Sequence, residues 1–394
     1  MVGAGPAGGF LATQLASAGL DVVLVDRLAD LSQAAFSSAA LPRCAIERFG
    51  LPQAVQAAPW RGWQLVGPGD SERQWMADEP LGAVLDFGAL RQWLADRAVA
   101  AGARLQLGWT VLGCEEQASG DLITHGRGAR GQRDMIRSRW VVDASGEGRA
   151  LLGDPADHAL VSGVGVEWLL QVEAERWRPW SERLSFFLGS RWVRQGYGWI
   201  FPMAEGQLKL GVCRLEDPRH PQAPLAGELR QLLQRSGLME ARVLDRHGGR
   251  IRSTIRRREP HRRGRLIGLG DAVSTANLLG GEGIRHALLA AEVLAPLLVQ
   301  AVRSGGEGHR WLGSDSLGRY EARLRQALGW RWSLSGRLAQ RTWLGLRDAR
   351  GDARLELLLS SLAGCSAEDL STLLFDYRFE RYGARALPYL LGWR

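Results

Sequence analysis

The strongest constraint on this chain is a glycine pattern at its start, Gly3 to Gly8, which has the form G-x-G-x-x-G and opens a predicted helix. In such a turn the first glycine permits a tight bend, and the second lets a pyrophosphate approach the backbone. The third allows close packing of helix and strand, while the helix N-terminus offers N–H groups to an anion. A buried β-type run at 21–25 follows and ends in Asp26, at the spacing where a carboxylate accepts a ribose hydroxyl. This combination predicts a dinucleotide-binding unit.

A second glycine-rich segment lies far downstream. A predicted buried strand at 266–270 leads into Asp271, and the run NLLGGEGI at 277–284 opens another helix. Asp271 could accept a hydrogen bond from a ribityl hydroxyl, and the glycines would bring N–H groups and the helix dipole to a reduced flavin. A nicotinamide dehydrogenase needs no such second site, so the two segments together predict FAD. We expect the cofactor contacts to be Gly3, Gly5, Pro6, Ala7, Gly8, Asp26, Arg27, Val111, Gly270, Asp271, Gly280, Gly281, Glu282, Gly283 and Ile284.

The order of predicted elements indicates an α/β architecture with an insertion. Short buried strands and helices of a Rossmann-like FAD-binding domain cover 1–160 and 255–305. Between them, aromatic-rich segments of alternating pattern predict an antiparallel β-sheet substrate domain over 161–254. The remainder, 306–394, is predicted to be a helical C-terminal extension.

The composition limits the cellular location and the binding partners that we expect for this protein. The net charge is +8, yet the arginines are spread along the chain and no nucleic-acid motif accompanies them, so we expect no nucleic acid partner. The densest basic run, Arg252–Arg265, is either a solvated loop or a patch for a membrane surface or an acidic partner. No run reaches the roughly 18 apolar residues of a membrane span, and no signal peptide is evident. We therefore expect a cytoplasmic protein, and the basic run leaves open peripheral contact with a membrane surface.

The cysteines suggest neither a metal site nor a disulfide framework. They are far apart and show no C-x-x-C pairing, as expected for a reducing compartment: Cys44, Cys114, Cys213 and Cys365. We predict no metal site.

Four segments in this order resemble a known family: VGAGPAGG at 2–9, VVDASGEGR at 141–149, GYGWIFP at 196–202 and GLGDAVSTANLLGGEGI at 268–284. The chain resembles the geranylgeranyl reductases, within the FAD enzymes of the glutathione reductase and p-hydroxybenzoate hydroxylase type of fold. The resemblance implies reduction of isoprenoid double bonds, with electrons from NADPH or a reduced ferredoxin. The family's Cys-Gly-Gly segment corresponds here to the residues from Ser37 to Pro42, so no cysteine-dependent role carries over. Leu278 and Phe87 also differ from the family's proline and arginine.

Aromatic residues of the predicted sheet are candidates to line a pocket for an apolar substrate: Trp168, Phe186, Phe187, Trp192, Tyr197, Trp199 and Phe201. Tyr197 and Trp199 lie in the family-like segment and alternate onto one strand face. With Glu282, they are our candidate catalytic residues.

Three alternatives to reduction would need the same FAD-binding residues, so these residues do not distinguish them. A flavin monooxygenase would use oxygen. A lycopene-cyclase-like enzyme would catalyse no net redox change and would need a carboxylic acid, for which Glu282 is the candidate. A non-catalytic flavoprotein is the remaining interpretation.

The start of the chain raises one further expectation. Only Met1 and Val2 precede Gly3, although a strand of about 5–6 residues normally feeds such a turn. We expect that the natural start lies several residues upstream of Met1. The alternative is a shortened protein, with weaker FAD affinity or with a replacement strand from elsewhere in the chain.

Overall fold

The computed structural model describes residues 1–33, 37–155, 160–220, 222–254, 259–304 and 316–380. Its helices in these ranges are α1 (Pro6–Ser17), α2 (Arg43–Arg48), α3 (Phe87–Ala100), α4 (Ala174–Trp177), α5 (Ala226–Arg235), α6 (Ile284–Ser304), α7 (Tyr320–Gly345), α8 (Ala349–Ser360) and α9 (Ala367–Leu374). The strands of the first half are β1 (Val23–Val25), β2 (Ala40–Pro42), β3 (Gln56–Trp60), β4 (Gly62–Val66), β5 (Glu72–Met76), β6 (Gly82–Leu85), β7 (Arg104–Gln106), β8 (Thr110–Glu116), β9 (Leu122–Arg127), β10 (Arg133–Ser138) and β11 (Val141–Asp143). Those that follow are β12 (Leu160–Gln171), β13 (Arg183–Leu188), β14 (Gly196–Pro202), β15 (Gln207–Leu215), β16 (Arg242–Thr254), β17 (Arg262–Arg263) and β18 (Leu266–Gly268).

A mostly parallel sheet carries the first glycine turn. β1 pairs with β7 and β11 pairs with β18, both in parallel, and β17 adds an antiparallel edge. Val2 joins the two halves, because it bridges Val25 on one side and Asp143 on the other. Met1 and Val2 thus occupy the central position of the sheet. Whether a longer strand precedes them in nature stays a prediction.

Helices α1 and α6 cover this sheet with small and apolar residues. Gly9 on α1 lies so close to α3 that an added Cβ would sit 2.9 Å from the Cβ of Leu94. Among the described helices, α6 has the length and composition of a membrane span. Its inner residues, including Leu288, Ala291 and Leu294, are fully buried in the core that α1 also enters. Packing in the core therefore accounts for its apolar character.

The second layer is a seven-stranded sheet in the order β16-β12-β15-β14-β13-β4-β5. It differs from the predicted antiparallel sheet in two ways. β4 and β5 come from 62–76, which we had assigned to the FAD-binding domain, and β13 pairs with β4 in parallel. Side chains alternate across β14, so one face packs against α5 and the opposite face packs against α7, α8 and α9.

The helices α7, α8 and α9 agree with the predicted helical C-terminal region. α7 bends at Gly329, whose φ of 77° is not helical. The parts of this region at 306–315 and 381–394 lie outside the described residues.

Candidate active site

The first glycine turn is built for an approaching anion. Gly3 adopts a φ of +103°, and a Cβ there would lie 2.3 Å from the carbonyl oxygen of Ala144. A Cβ on Gly8 would lie 1.9 Å from the carbonyl oxygen of Gly3, so the turn and α1 pack without space for a side chain. Above Gly5, by contrast, no atom lies within 4 Å. Pro6 starts α1 and no side chain caps it, which leaves the helix N-terminus open to a pyrophosphate.

Asp26 lies where a ribose acceptor is needed. Its Oδ2 accepts the N–H of Ala4 at 2.7 Å and its Oδ1 accepts the N–H of Leu28 at 2.9 Å. These bonds fix the carboxylate beside the glycine turn, with acceptor capacity remaining. Arg27 is exposed next to it, and Val111 on β8 packs against the cluster of apolar residues at the same edge. The contacts of Asp26, Arg27 and Val111 with a nucleotide stay a prediction.

The second segment folds back onto the first. A Cβ on Gly270 would lie 2.9 Å from the Cβ of Ala7, so the turn that follows β18 touches the first turn of α1. Asp271 follows, accepts the hydroxyl of Thr275 at 3.0 Å, and lies 3.3 Å from the position of a Cβ on Gly283. Burial raises the pKa of Asp271. The structure therefore brings together the glycine turn, Asp271 and the Gly280–Gly283 loop, which are far apart in the sequence.

Two cavities meet at this loop. The junction cavity lies between the sheet and the FAD-binding elements, and its lining includes Pro6, Trp199, Cys213 and Asp271. The apolar cavity extends from there beneath α7, α8 and α9. Both cavities are lined by Ser37, Ser38, Phe186, Tyr197, Phe201, Gly280, Gly281, Gly283, Ile284 and Trp343. The two cavities therefore adjoin along these residues.

The C-terminal helices supply much of the apolar wall, which sequence reasoning missed. The lining includes Leu338 of α7, Leu355, Leu358 and Leu359 of α8, and Leu370 and Leu373 of α9. Trp343 anchors α7 to the loop, because its Nε1 donates to the carbonyl oxygens of Leu278 and Leu279 at 3.1 and 3.2 Å. The leucine-rich run at 355–362 was the available signal, but leucines on a helix most often signal ordinary core.

The structure corrects part of the aromatic list. Phe186, Tyr197 and Phe201 line both cavities, and Trp199 lines the junction cavity. Phe187 and Trp192, however, pack on the opposite face of the sheet with α5, and Trp168 joins them there, beneath the guanidinium of Arg246. The reason is strand alternation: neighbours such as Phe186 and Phe187 point to opposite faces, so only one of the two can reach the cavity.

Tyr197, a candidate catalytic residue, lies beside the second glycine loop. Its hydroxyl lies 3.6 Å from the position of a Cβ on Gly281, beside the glycine loop, and its ring is 5.0 Å from that of Trp343. Burial raises the pKa of this phenol well above its ordinary value. Tyr197 therefore keeps its proton at neutral pH.

Glu282, the candidate acid, lines the apolar cavity and is held by neighbouring side chains. Its Oε1 accepts a hydrogen bond from Nε of Arg285 at 2.6 Å, and its Oε2 accepts a hydrogen bond from the hydroxyl of Tyr377 at 2.9 Å. Burial alone would raise its pKa, but the charges of Arg285 and His286 and these hydrogen bonds outweigh it, so the pKa is lowered. Arg285 also donates to the carbonyl oxygen of Phe375. These contacts tie the glycine loop to the segment after α9, and the lowered pKa favours the ionised form of Glu282. A catalytic role for Glu282 stays a prediction.

Most of the described part of the Arg252–Arg265 run is engaged within the fold. Arg252 pairs with Glu147 at 2.8 Å and with Asp154 at 2.7 Å. Arg263 and Arg265 donate to backbone carbonyls of neighbouring loops. These contacts favour a structural role. The residues at 256–258 lie outside the described ranges.

Taken together, the parallel sheet, the open glycine turn and the second glycine loop define an FAD-binding flavoprotein with the p-hydroxybenzoate hydroxylase type of fold. Residues 1–326 match the family described as FAD binding domain. The chain belongs to this family and is an FAD-dependent oxidoreductase. The predicted fold and the predicted cofactor are confirmed.

Its relatives point within that family to the geranylgeranyl reductases. The chain is 25% identical to a digeranylgeranylglycerophospholipid reductase of Methanocella arvoryzae, over 84% of this chain and 83% of the relative. It is 23% identical to the chloroplastic geranylgeranyl diphosphate reductase of Oryza sativa subsp. japonica, over 82% and 70% of the two chains. A solved geranylgeranyl bacteriochlorophyll reductase-like protein from Thermoplasma acidophilum superposes with a TM-score of 0.81 at 18% identity, over 99% and 97% of the chains. The resemblance seen in the sequence is confirmed.

Proposed function

We propose that this flavoenzyme reduces carbon–carbon double bonds of an isoprenoid chain held in the apolar cavity. The observation that carries the proposal is the continuity of the two cavities. An elongated apolar molecule lying under α7, α8 and α9 would reach the glycine loop at Gly281 and Ile284. The names of the relatives favour an isoprenoid over other apolar molecules.

The chain's own residues would hold FAD by the contacts already described. The turn from Gly3 to Gly8 would bind the pyrophosphate and Asp26 the ribose, while Asp271 and the Gly280–Gly283 loop would face the ribityl chain and the ring. The fit rests on the open space above Gly5 and on the uncapped start of α1. Reduced flavin supplies a hydride to such a double bond.

The protein's contribution to the chemistry is orientation, exclusion of water and delivery of a proton. Leucines of the C-terminal helices and the face of β14 hold the substrate in a fixed pose and keep water away. The hydroxyl of Tyr197 would donate its proton to one carbon of the double bond while the neighbouring carbon is reduced, and the resulting phenolate would regain a proton from solvent once the product has left and water can enter. Hydride and proton together add two hydrogens, which balances the reduction.

Electrons come from NADPH or from a reduced ferredoxin, and the enzyme works in the cytoplasm at a membrane surface, where lipid-like substrates are found. Two exposed apolar side chains support the membrane contact. Trp330 on α7 is 62% exposed and Leu357 on α8 is 75% exposed, and both lie on helices that line the apolar cavity.

The test is an anaerobic half-reaction. The purified enzyme is reduced with dithionite and mixed with geranylgeranyl diphosphate, and flavin absorbance and product mass are followed. We expect reoxidation of the flavin and a product heavier by two hydrogens per double bond. Oxygen consumption with an oxygenated product would identify a monooxygenase instead. A rearranged product of unchanged mass would identify a cyclase-like enzyme, and no reaction with any isoprenoid would contradict the proposal.

A further inference from the structure

Lys209 stands out by composition and by position. It is the only lysine in the chain, and the other 49 residues of the Lys and Arg total are arginines. It lies on β15 and is 6% exposed. Taking an ammonium out of water costs several kcal/mol unless it finds good partners. A buried lysine therefore needs an explanation from its contacts.

Those contacts cross from the sheet to the FAD-binding elements. Nζ of Lys209 donates to the carbonyl oxygen of Ser37 at 2.8 Å and to that of Leu85 at 3.3 Å. Ser37 lines both the junction cavity and the apolar cavity. Leu85 ends β6 and precedes Asp86, whose side chain caps α3 by accepting the N–H of Ala89 at 2.9 Å. One ammonium thus connects three segments at the place where the cavities meet.

Two carboxyl groups, those of Glu167 and Asp86, act on the charge of Lys209, and burial raises the pKa of Glu167. Burial lowers the pKa of Lys209, and the nearby carboxylates of Glu167 and Asp86 oppose that shift. Glu167 is buried on β12 and accepts Nε1 of Trp199 at 3.0 Å. Trp199 in turn lines the junction cavity. The ammonium and Glu167 therefore lie behind the cavity wall rather than in it.

The chemistry of the ammonium suits this position better than a guanidinium would. An ammonium is a compact charge with three donors that point in different directions, whereas a guanidinium is a planar fork. The two carbonyls to be joined belong to different segments, so a compact donor satisfies them without separating the chains. This explains a lysine where the rest of the chain has arginines.

We propose that Lys209 is a positioning residue, which holds the Ser37–Ser38 segment against the flavin and the substrate at the junction of the two cavities. The part that concerns substrate rests on the proposed function. The part that concerns flavin does not, and it is tested first.

The experiment compares Lys209→Met with Leu208→Ala, both in the full-length chain. Methionine keeps the length of the side chain and removes the charge. Leu208 is the neighbouring residue on the opposite face, fully buried with the α5 cluster, so its truncation destabilises the same strand without touching the junction. For each variant, the dissociation constant of FAD, the visible spectrum of the bound flavin and the thermal midpoint are measured.

Both variants should melt at lower temperature than the parent. Only Lys209→Met should bind FAD about ten-fold more weakly, the scale of one charge-assisted hydrogen bond, with an altered flavin spectrum. Lys209→Arg, which keeps the charge in a larger group, should recover part of the affinity. If Lys209→Met matches Leu208→Ala in FAD affinity and spectrum, the lysine is only structural and the proposal is overturned.

A second readout then separates substrate from flavin. The flavin spectrum of each variant is titrated with geranylgeraniol. If the parent spectrum responds, Lys209→Met should need several-fold more ligand than Leu208→Ala. If the parent spectrum does not respond, the proposed isoprenoid substrate is in doubt, while the flavin result for Lys209 still stands.

Discussion

The glycine turn is formed by backbone atoms, whereas the apolar cavity is formed by side chains. The turn is made of backbone: Gly3, Gly5 and Gly8 matter because they lack a side chain, and all lie within one short segment. The cavity is made of side chains from distant segments, from the face of β14 and from α7, α8 and α9. A backbone site tolerates almost no added atoms, whereas a leucine-lined cavity can repack. The two regions should therefore respond very differently to mutation.

The sharpest contrast lies within the turn itself, between Gly8→Ala and Gly5→Ala. A Cβ at Gly8 would lie 1.9 Å from the carbonyl oxygen of Gly3, so this variant should lose about 3 kcal/mol or more of folding stability and retain no FAD. A Cβ at Gly5 meets no protein atom within 4 Å, so that variant should fold normally as apoprotein and fail only in FAD binding. Thermal melts of the apoproteins and FAD titrations would check this. Equal melting of the two would show that the turn is less tightly packed than described.

Between the two regions, Glu282 joins the glycine loop to the C-terminal segment. Glu282→Gln should reduce folding stability by about 2–4 kcal/mol at neutral pH, because Arg285 loses its buried carboxylate partner and keeps the more exposed Asp376, at 3.6 Å. The pKa of Glu282 is lowered in the folded state, so its stabilisation is present above the ordinary carboxyl pKa and is lost as pH falls through the lowered value.

The measurement for Glu282 is the thermal midpoint of parent and variant across pH. The difference should be largest near neutral pH and should shrink below about 4.3, the ordinary value for a glutamate. Glu205→Gln, at an exposed position, is the control and should show no such trend. A difference that stays constant with pH would contradict an ionised Glu282.

The cavity face of β14 should affect turnover more than cofactor binding. Tyr197→Phe removes the phenolic proton and keeps the ring, so kcat should fall about 100-fold while FAD content stays unchanged. Phe187→Leu, on the opposite face of the neighbouring strand, should leave kcat near that of the parent. Single-turnover flavin reoxidation by geranylgeranyl diphosphate measures both. A Tyr197→Phe variant with parental kcat would remove this hydroxyl from the mechanism.

The smallest effect is expected on the outer surface of the cavity helices. Leu357→Glu should weaken sedimentation with anionic phospholipid vesicles by several-fold, because it places a charge where an apolar side chain would enter the membrane surface. Leu244→Glu, on β16 and 38% exposed, is the matched control away from these helices. Equal binding of the two variants and the parent would argue against membrane contact through α8.

Most of the fold could be predicted from local patterns. The first glycine turn, the strand ending in Asp26 and the downstream glycine segment identified the FAD-binding architecture, because backbone conformation and short spacing carry that information. The two extra strands at 62–76 were not predicted. The pairing of β4 with β13 joins segments that are far apart in the chain, and no local sequence pattern predicts it.

The amino-acid sequence by itself determined the cofactor, since a backbone cradle needs particular residues in a particular short order. Only the tertiary structure decided which side chains surround the substrate. Strand alternation turned Phe186 toward the cavity and Phe187 away from it, and the return of α7, α8 and α9 over the sheet closed the apolar wall. The same is true of the contacts that Glu282 and Lys209 make with distant segments: Glu282 accepts from Tyr377 in addition to its near neighbour Arg285, and Lys209 donates to Ser37 and Leu85. Such contacts are set by how the layers pack, and packing is a property of the whole chain.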